Sequence, residues 1–251
     1  MPFYADYNEV LEEEPPVKSS LFENSREYLE FLQQWQQELP SISRDQVFTN
    51  PEGTAILSVD VIKGFCTTGP LASPRVARII QPIVKLMRVG WEKGLRKILL
   101  IQDTHEADAV EFGSFPPHCV RGSEEAQTVD EIRSLPFYDQ LILLPKNSIA
   151  SGSNASLHEW IAAHSEVLSF IVVGDCTDLC TYQLAMFLKT DANEKQQPRK
   201  VIVPADCVDT YDLPVDAAKK IGAVPHPAEL LHVVFLHHMA LNGVEIVGSI
   251  A

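Results

Sequence analysis

The sequence contains no apolar run approaching the roughly 20 residues that a membrane-spanning helix requires, so no membrane partner is expected. It contains no CxxC pair, and its five cysteines (Cys66, Cys119, Cys176, Cys180 and Cys207) are odd in number. Free thiols in a reducing compartment are therefore expected in place of a disulfide framework. Positive charge is scarce: 20 Lys and Arg stand against 34 Asp and Glu, a net charge of -14. Such a surface repels phosphate backbones, which argues against nucleic acid and suits a neutral or cationic small molecule. The opening stretch, MPFYADYNEVLEEEPP, is acidic and lacks the basic-then-apolar order of a secretory signal, so a cytoplasmic location is expected. Internal repeats are absent as well.

What is present is enough apolar material for a large core: 45% of the 251 residues are hydrophobic and 22% charged. Residues 1–52 read as an N-terminal extension. Its acidic run Glu12–Pro16 has no periodicity, and a helical pattern starts at Asn24. Tyr28, Phe31, Leu32, Trp35 and Leu39 recur every three or four residues on one face, until Pro40 stops the pattern. That face would pack on the main domain or on a neighbouring subunit. From residue 53 to 251 the chain alternates short apolar runs with helical patterns. TAILSVD, KILLIQD, LILLP, LSFIVVGD, KVIVPAD and VEIVG read as strands. Helical spacing covers 74–91, 155–164, 178–190, 214–221 and 226–241, with a kink or break expected at Pro82. Continuous apolar strands between helices predict one Rossmann-like α/β domain, its parallel sheet of about six strands covered on both faces.

Polar residues follow these strands directly: Asp60, Asp103, Lys146, Asp175 with Cys176 to Cys180, and Asp206. Open parallel sheets bind ligands outside the carboxyl ends of their strands, so these scattered residues are expected along one edge. Amide hydrolysis requires a nucleophile, a base and a group that holds developing charge. Cys180 sits where a strand gives way to a helix, and a helix start stabilises a thiolate. A neighbouring strand-end carboxylate such as Asp60 could take the thiol proton, with Lys146 holding that carboxylate ionised.

A second constellation is Asp103-Thr-His105, followed by Glu111 and then His118, 13 residues beyond His105. A D-x-H step puts two ligand-type side chains on one side of an extended segment. Carboxylate and imidazole together suit zinc, with manganese or iron(II) as alternatives. Glu111 is the favoured additional ligand, with Glu106 and Asp108 as competitors. His158 and His164 fall on a helix with an exposed side. The C-terminal histidines, 226, 232, 237 and 238, do not have the order of a metal motif, and structural or surface roles are expected for all six.

At these positions the chain resembles the isochorismatase-like cysteine hydrolases and, within them, the nicotinamidases. The blocks SVDVIKGFC, QDTH…EFGSFPPHCVRGSEE and VVGDCTDLCT, with Lys146 between the last two, occur in the family's order over roughly 54–250. The resemblance implies that Asp60 is the catalytic acid/base, Cys180 the nucleophile and Lys146 the family lysine. It implies metal ligation by Asp103, His105 and His118, and Glu111 matches a glutamate that some nicotinamidases place seven residues before the last histidine. It further implies a cis peptide before Cys176 and an oxyanion hole from the N–H groups of Cys176 and Cys180. Phe65 and Phe115 would be substrate-binding aromatics, Phe115 standing where many nicotinamidases carry tryptophan. The expected reaction is hydrolysis of nicotinamide to nicotinate and ammonia by a homo-oligomeric enzyme. Lys63-Gly64 replaces the usual asparagine–aspartate pair, and Leu179 replaces a frequent histidine. Both departures leave open another small amide, such as a carbamoyl or maleamic compound, or isochorismate. A non-catalytic scaffold is the reading from a different class.

Overall fold

The computed structural model describes residues 20–251, so the acidic run Glu12–Pro16 lies outside the described residues. The chain divides into two compact units, Met1–Gln37 and Glu38–Ala251. In the first, helix α1 spans Leu21–Gln37. It starts three residues before Asn24 because Ser20 and Glu23 form a reciprocal cap. The Glu23 N–H donates to Ser20 Oγ and the Ser20 N–H to Glu23 Oε2, each at 3.3 Å.

The second unit holds the sheet. Its first strand, β1 (Ser41–Ile42), pairs in parallel with the last, β9 (Ser249–Ile250). Between them comes α2 (Arg44–Val47), whose end buries Val47 and Phe48 in the core. Residues 38–52, placed in the extension by sequence, are thus part of this unit. The main sheet comprises β2 (Thr54–Val59), β3 (Ile98–Asp103), β4 (Ile142–Lys146), β5 (Ser169–Asp175), β6 (Lys200–Pro204), β7 (Val208–Asp209) and β8 (Glu245–Val247). All pairings are parallel, in the order β4-β3-β2-β5-β6-β8, with β7 paired to the end of β5. The six expected strands are all present, and the two-residue β7 is the seventh. Pro145 is tolerated because β4 is an edge strand.

Side chains alternate across the sheet. Ile56, Ile98, Leu100, Ile171, Val173 and Ile202 join one core with Ile80, Ile83, Val84 and Met87 of α5 (Ile80–Glu92). Their neighbours Leu57, Leu99, Ile101, Val172 and Val203 are also buried, on the opposite face. There α8 (Cys180–Glu194) meets β5 and β6, and α10 (Ala228–Leu241) meets α8 and β8. Three short helices complete the first face and the rim: α3 (Lys63–Cys66), α4 (Pro74–Ala77) and α6 (Asp130–Arg133). Helices α7 (Ala155–Ala163) and α9 (Val215–Ile221) follow β4 and β7. The break expected at Pro82 falls between α4 and α5, at Arg78–Ile79. A proline ring clashes with the carbonyl four residues before it, here Arg78, so Pro82 is accommodated in the first turn of α5. No helix among the described residues is long and apolar enough to cross a membrane.

Strand order decides where the site falls. The chain runs from β2 outward through β3 to β4, then returns to the other side of β2 as β5 and continues to β6. The crevice at such a reversal opens between the carboxyl ends of β2 and β5, which carry Asp60 and the segment leading to Cys180. Gly174 is required there. Its φ of 120° is unsuited to other residues, and an added Cβ would lie 2.0 Å from the Val59 carbonyl oxygen.

Candidate active site and metal centre

Asp60, Asp103 and Lys146 end three adjacent strands, and all three are buried. The register sets Lys146 opposite Asp103. Asp60 adopts the left-handed region (φ 56°) just past β2, and its Oδ1 accepts the Asp103 N–H at 2.8 Å. Lys146 Nζ donates to Asp103 Oδ1 and lies 2.8 Å from Asp60 Oδ2 as an ion pair. One ammonium thus serves two carboxylates. Cys180 closes the group: a ligand atom from each of Asp60, Asp103 and Cys180 lies within 4.8 Å of the other two.

The electrostatics follow from burial and from this sharing. Burial pushes Asp60 up, the Asp103 carboxylate adds to it, and Lys146 only partly offsets both, so Asp60 titrates near 6. Burial also opposes ionisation of Asp103, yet Lys146, His105 and His118 outweigh it and hold this carboxyl below the usual range. Burial disfavours charge on Lys146, but the anions around it keep it firmly protonated. The Cys180 thiol is raised well above its ordinary value, first by burial and then by the carboxylates, against the pull of Lys146. The resting nucleophile candidate is therefore a neutral thiol beside a carboxylate able to accept its proton.

Cys180 is the first residue of α8, where the leading N–H groups have no acceptor a turn earlier in the helix. The Leu179 and Thr181 N–H groups both turn back to the Cys176 carbonyl at 3.1 Å, folding Cys176–Cys180 into a tight loop. The peptide between Asp175 and Cys176 is cis, as the resemblance implied. All five cysteines are buried free thiols.

The metal constellation assembles beside this group. Asp103, His105 and His118 each offer an atom within 4.8 Å of the others. His105 Nε2 lies 3.5 Å and His118 Nε2 3.9 Å from Asp103 Oδ2. Both imidazoles are set by their other nitrogen. His105 Nδ1 bonds Asn147 Oδ1 at 3.1 Å, an oxygen that already accepts the Glu106 N–H, and His118 Nδ1 donates to the Pro116 carbonyl at 2.8 Å. With Nδ1 protonated, each Nε2 presents a lone pair toward Asp103. His105 Nε2 is buried with no hydrogen-bond partner, the condition of an atom able to ligate a cation. Residues of these types, in this orientation, fit a divalent metal.

Glu111 is not brought into that cluster. Its Oε2 accepts the Ile149 N–H at 3.0 Å, tying the loop before His118 to the segment after β4. Of its competitors, Glu106 pairs with Arg121 at 2.8 Å and Asp108 is exposed. Phe65 and Phe115 both approach His118, with ring centroids 5.5 and 6.2 Å away. A Cβ at Gly64 would stand 2.4 Å from Cys119 Sγ, so α3 lies closely against the loop that carries His118.

Sequence reasoning missed several neighbours of the site. Phe112 lies 5.3 Å from His105 and 5.6 Å from His118, making a third aromatic around the histidine pair. Asn147 directly follows Lys146, and its place at a strand end was the available signal. His158, His164 and His238 make local contacts, to Gly152, Trp160 and Tyr182. His226 and His232 are different: both are buried and bonded to the loop before Cys180.

A sequence profile of the isochorismatase domain matches residues 54–245, and the chain belongs to that family of hydrolases. It is similar to Nicotinamidase 1 of Arabidopsis thaliana, with 29% identity over 236 residues, covering 87% of this chain and 95% of the relative. Among solved structures, a pyrazinamidase of Pyrococcus horikoshii in complex with zinc superposes with a TM-score of 0.60 at 21% identity, covering 78% of this chain and 98% of that one. N-carbamoylsarcosine amidase of Thermoplasma acidophilum gives 0.57 at 20% identity, covering 77% and 95%. These two likenesses establish the shared fold.

Proposed function

We propose that the chain is a metal-dependent cysteine amidohydrolase that converts nicotinamide to nicotinate and ammonia. The observation that carries this reading is the adjacency of two built groups, the Asp60–Lys146–Cys180 set and the Asp103–His105–His118 triplet, which the Lys146–Asp103 ion pair joins. The similarity to a plant nicotinamidase supports the substrate. Asp103, His105 and His118 would hold the cation, zinc first among the candidates, with manganese and iron(II) as alternatives. When bound, such a cation supplies a Lewis-acidic position for a ring nitrogen of the substrate.

The protein's own residues do the rest. Asp60, ionised above about pH 6, removes the Cys180 proton as sulfur attacks the carboxamide carbon. Lys146 keeps the neighbouring charge balanced while the new S–C bond pushes electrons onto oxygen. The N–H groups of Cys176 and Cys180 receive that oxyanion. Asp60 returns the proton to nitrogen, the C–N bond breaks, and ammonia leaves a thioester on Cys180. A water molecule, deprotonated by Asp60, then cleaves the thioester, releasing the acid and restoring the thiol. Phe65, Phe112 and Phe115 form the apolar wall against which a flat ring would lie.

A second reading keeps the catalytic set and changes the amide, and Lys63-Gly64 and Leu179 favour it because they depart from the nicotinamidase pattern. The decisive assay is ammonia release from nicotinamide with and without chelator, alongside carbamoyl and maleamic amides. Cys180→Ala should abolish turnover while metal stays bound, and Asp103→Ala should lose the metal. Turnover surviving in Cys180→Ala would refute the covalent mechanism.

A further inference from the structure

The loop that carries the nucleophile is fastened from outside by groups that no step above uses. Asp178, two residues before Cys180, is buried and accepts two hydrogen bonds. Thr210 Oγ1 donates to its Oδ1 at 2.6 Å, and His226 Nε2 meets its Oδ2 at 2.8 Å. The other nitrogen of His226, Nδ1, lies 2.8 Å from the Tyr211 carbonyl oxygen. The Tyr211 carbonyl and the Asp178 carboxylate are both acceptors, so the geometry favours hydrogen on both ring nitrogens and an imidazolium ion-paired to Asp178. The Tyr211 ring stacks on it with centroids 3.9 Å apart, a favourable contact for a cation. The other residue of the loop, Thr177, is tied by the same neighbourhood, its N–H to the Asp209 carbonyl at 3.0 Å and its Oγ1 to His232 Nδ1 at 2.8 Å.

We propose that the His226–Asp178 ion pair is the positioning element of the nucleophile loop, holding Thr177–Leu179 so that Cys180 and the Cys176 and Cys180 N–H groups converge on one point. The proposal rests on the reading of Cys180 as nucleophile. The pair has a defined pH window. Burial disfavours charge on His226, but Asp178 and the Tyr211 carbonyl outweigh it and raise its titration above the ordinary imidazole range. His226 and Thr210 hold Asp178 low in spite of its burial. The other titratable groups that interact with Asp178 are Cys176 on the loop, Tyr211, and His232 of α10, and His232 in turn meets Asp209, Arg75 of α4 and Glu229. Loss of the His226 proton leaves one of its two acceptors without a donor and loosens the loop.

The test compares wild-type enzyme with His226→Gln and Asp178→Asn. Asparagine keeps the Thr210 bond on its oxygen and turns its NH2 toward His226 Nε2, so the imidazolium loses its acceptor and the ion pair is removed. Both variants should lower kcat by about ten- to a hundredfold, the scale of a misplaced oxyanion donor, with KM changed less than about twofold. Wild-type kcat should fall as pH rises through the His226 titration, and that alkaline limb should vanish in His226→Gln. Amide exchange protection across residues 176–181 should drop in both variants, and in wild type at high pH, whichever amide proves to be the substrate. Unchanged protection with kcat within twofold of wild type would overturn the proposal. So would a loss of kcat matched by loss of folded protein in a thermal melt. If protection falls as expected while nicotinamide is not hydrolysed by wild type, positioning stands and the substrate assignment fails.

Discussion

Replacing Lys146 with methionine keeps most of the side chain's unbranched bulk and removes its charge. Nζ of Lys146 is the ammonium that compensates Asp60, at 2.8 Å, and Asp103, and all three side chains are almost fully buried. Removing one partner of a buried ion pair costs about 3–5 kcal/mol, because the remaining charge is left without compensation. Two carboxylates share this cation, so the upper half of that range is expected in chelator-treated protein. For a chain of this length, a loss of about 4 kcal/mol lowers Tm by roughly 8–16 °C. The sign of the pH effect is fixed. Without Lys146, the folded-state titration of Asp60, already above its unfolded value, rises further and that of Asp103 rises with it, so the variant regains stability as pH falls through the raised values. The deficit against wild type should therefore be larger at pH 8 than at pH 5 in urea titrations. Turnover should fall by at least about a hundredfold at neutral pH, because a protonated Asp60 cannot accept the thiol proton. A Lys146→Met protein within about 1 kcal/mol of wild type at both pH values would refute the shared-cation account.

Three further outcomes follow from the same geometry. The acid limb of kcat/KM should lie at or below about pH 6, since Asp60 must be ionised and a cation on Asp103 would relieve part of the repulsion that raises it; an Asp60→Asn enzyme with normal turnover would contradict this role. Asn147→Ala should weaken metal affinity about 10- to 100-fold in calorimetric titrations, because His105 then loses the partner that aims Nε2. Metal affinity should also fall as pH drops, since the Asp103 carboxylate overcomes burial to raise His105 above the ordinary imidazole range and protons compete for Nε2; affinity independent of pH between 8 and 6 would count against His105 as a ligand.

The strand-ending acids, the block around Cys180 and the D-x-H step were legible in the sequence because they depend on local order. An apolar run ending in Asp60 or Asp103 identifies a buried strand and the edge where its next side chain emerges. All six expected runs became strands, and the helix expected over 178–190 begins at Cys180 and runs to Glu194. The helix in the extension was readable for the same reason, although its start shifted to the cap at Ser20 and Glu23. Pairings set by neither spacing nor periodicity were not legible. Glu111 has the right residue type at the right interval, yet the fold of its loop turns its carboxylate to the Ile149 N–H. Lys146 shares its charge between two carboxylates only because β4, β3 and β2 lie side by side in register.

His226 marks the same boundary most clearly. In the sequence it is one of several C-terminal histidines without a motif, and a structural role was the reasonable expectation. Packing carries it 48 residues back along the chain to Asp178, between two acceptors that favour its protonated form. Local patterning follows from backbone geometry and the burial of apolar faces, which a sequence displays directly. The protonation of a buried group depends on which partners meet it in space, and only the tertiary structure decides that.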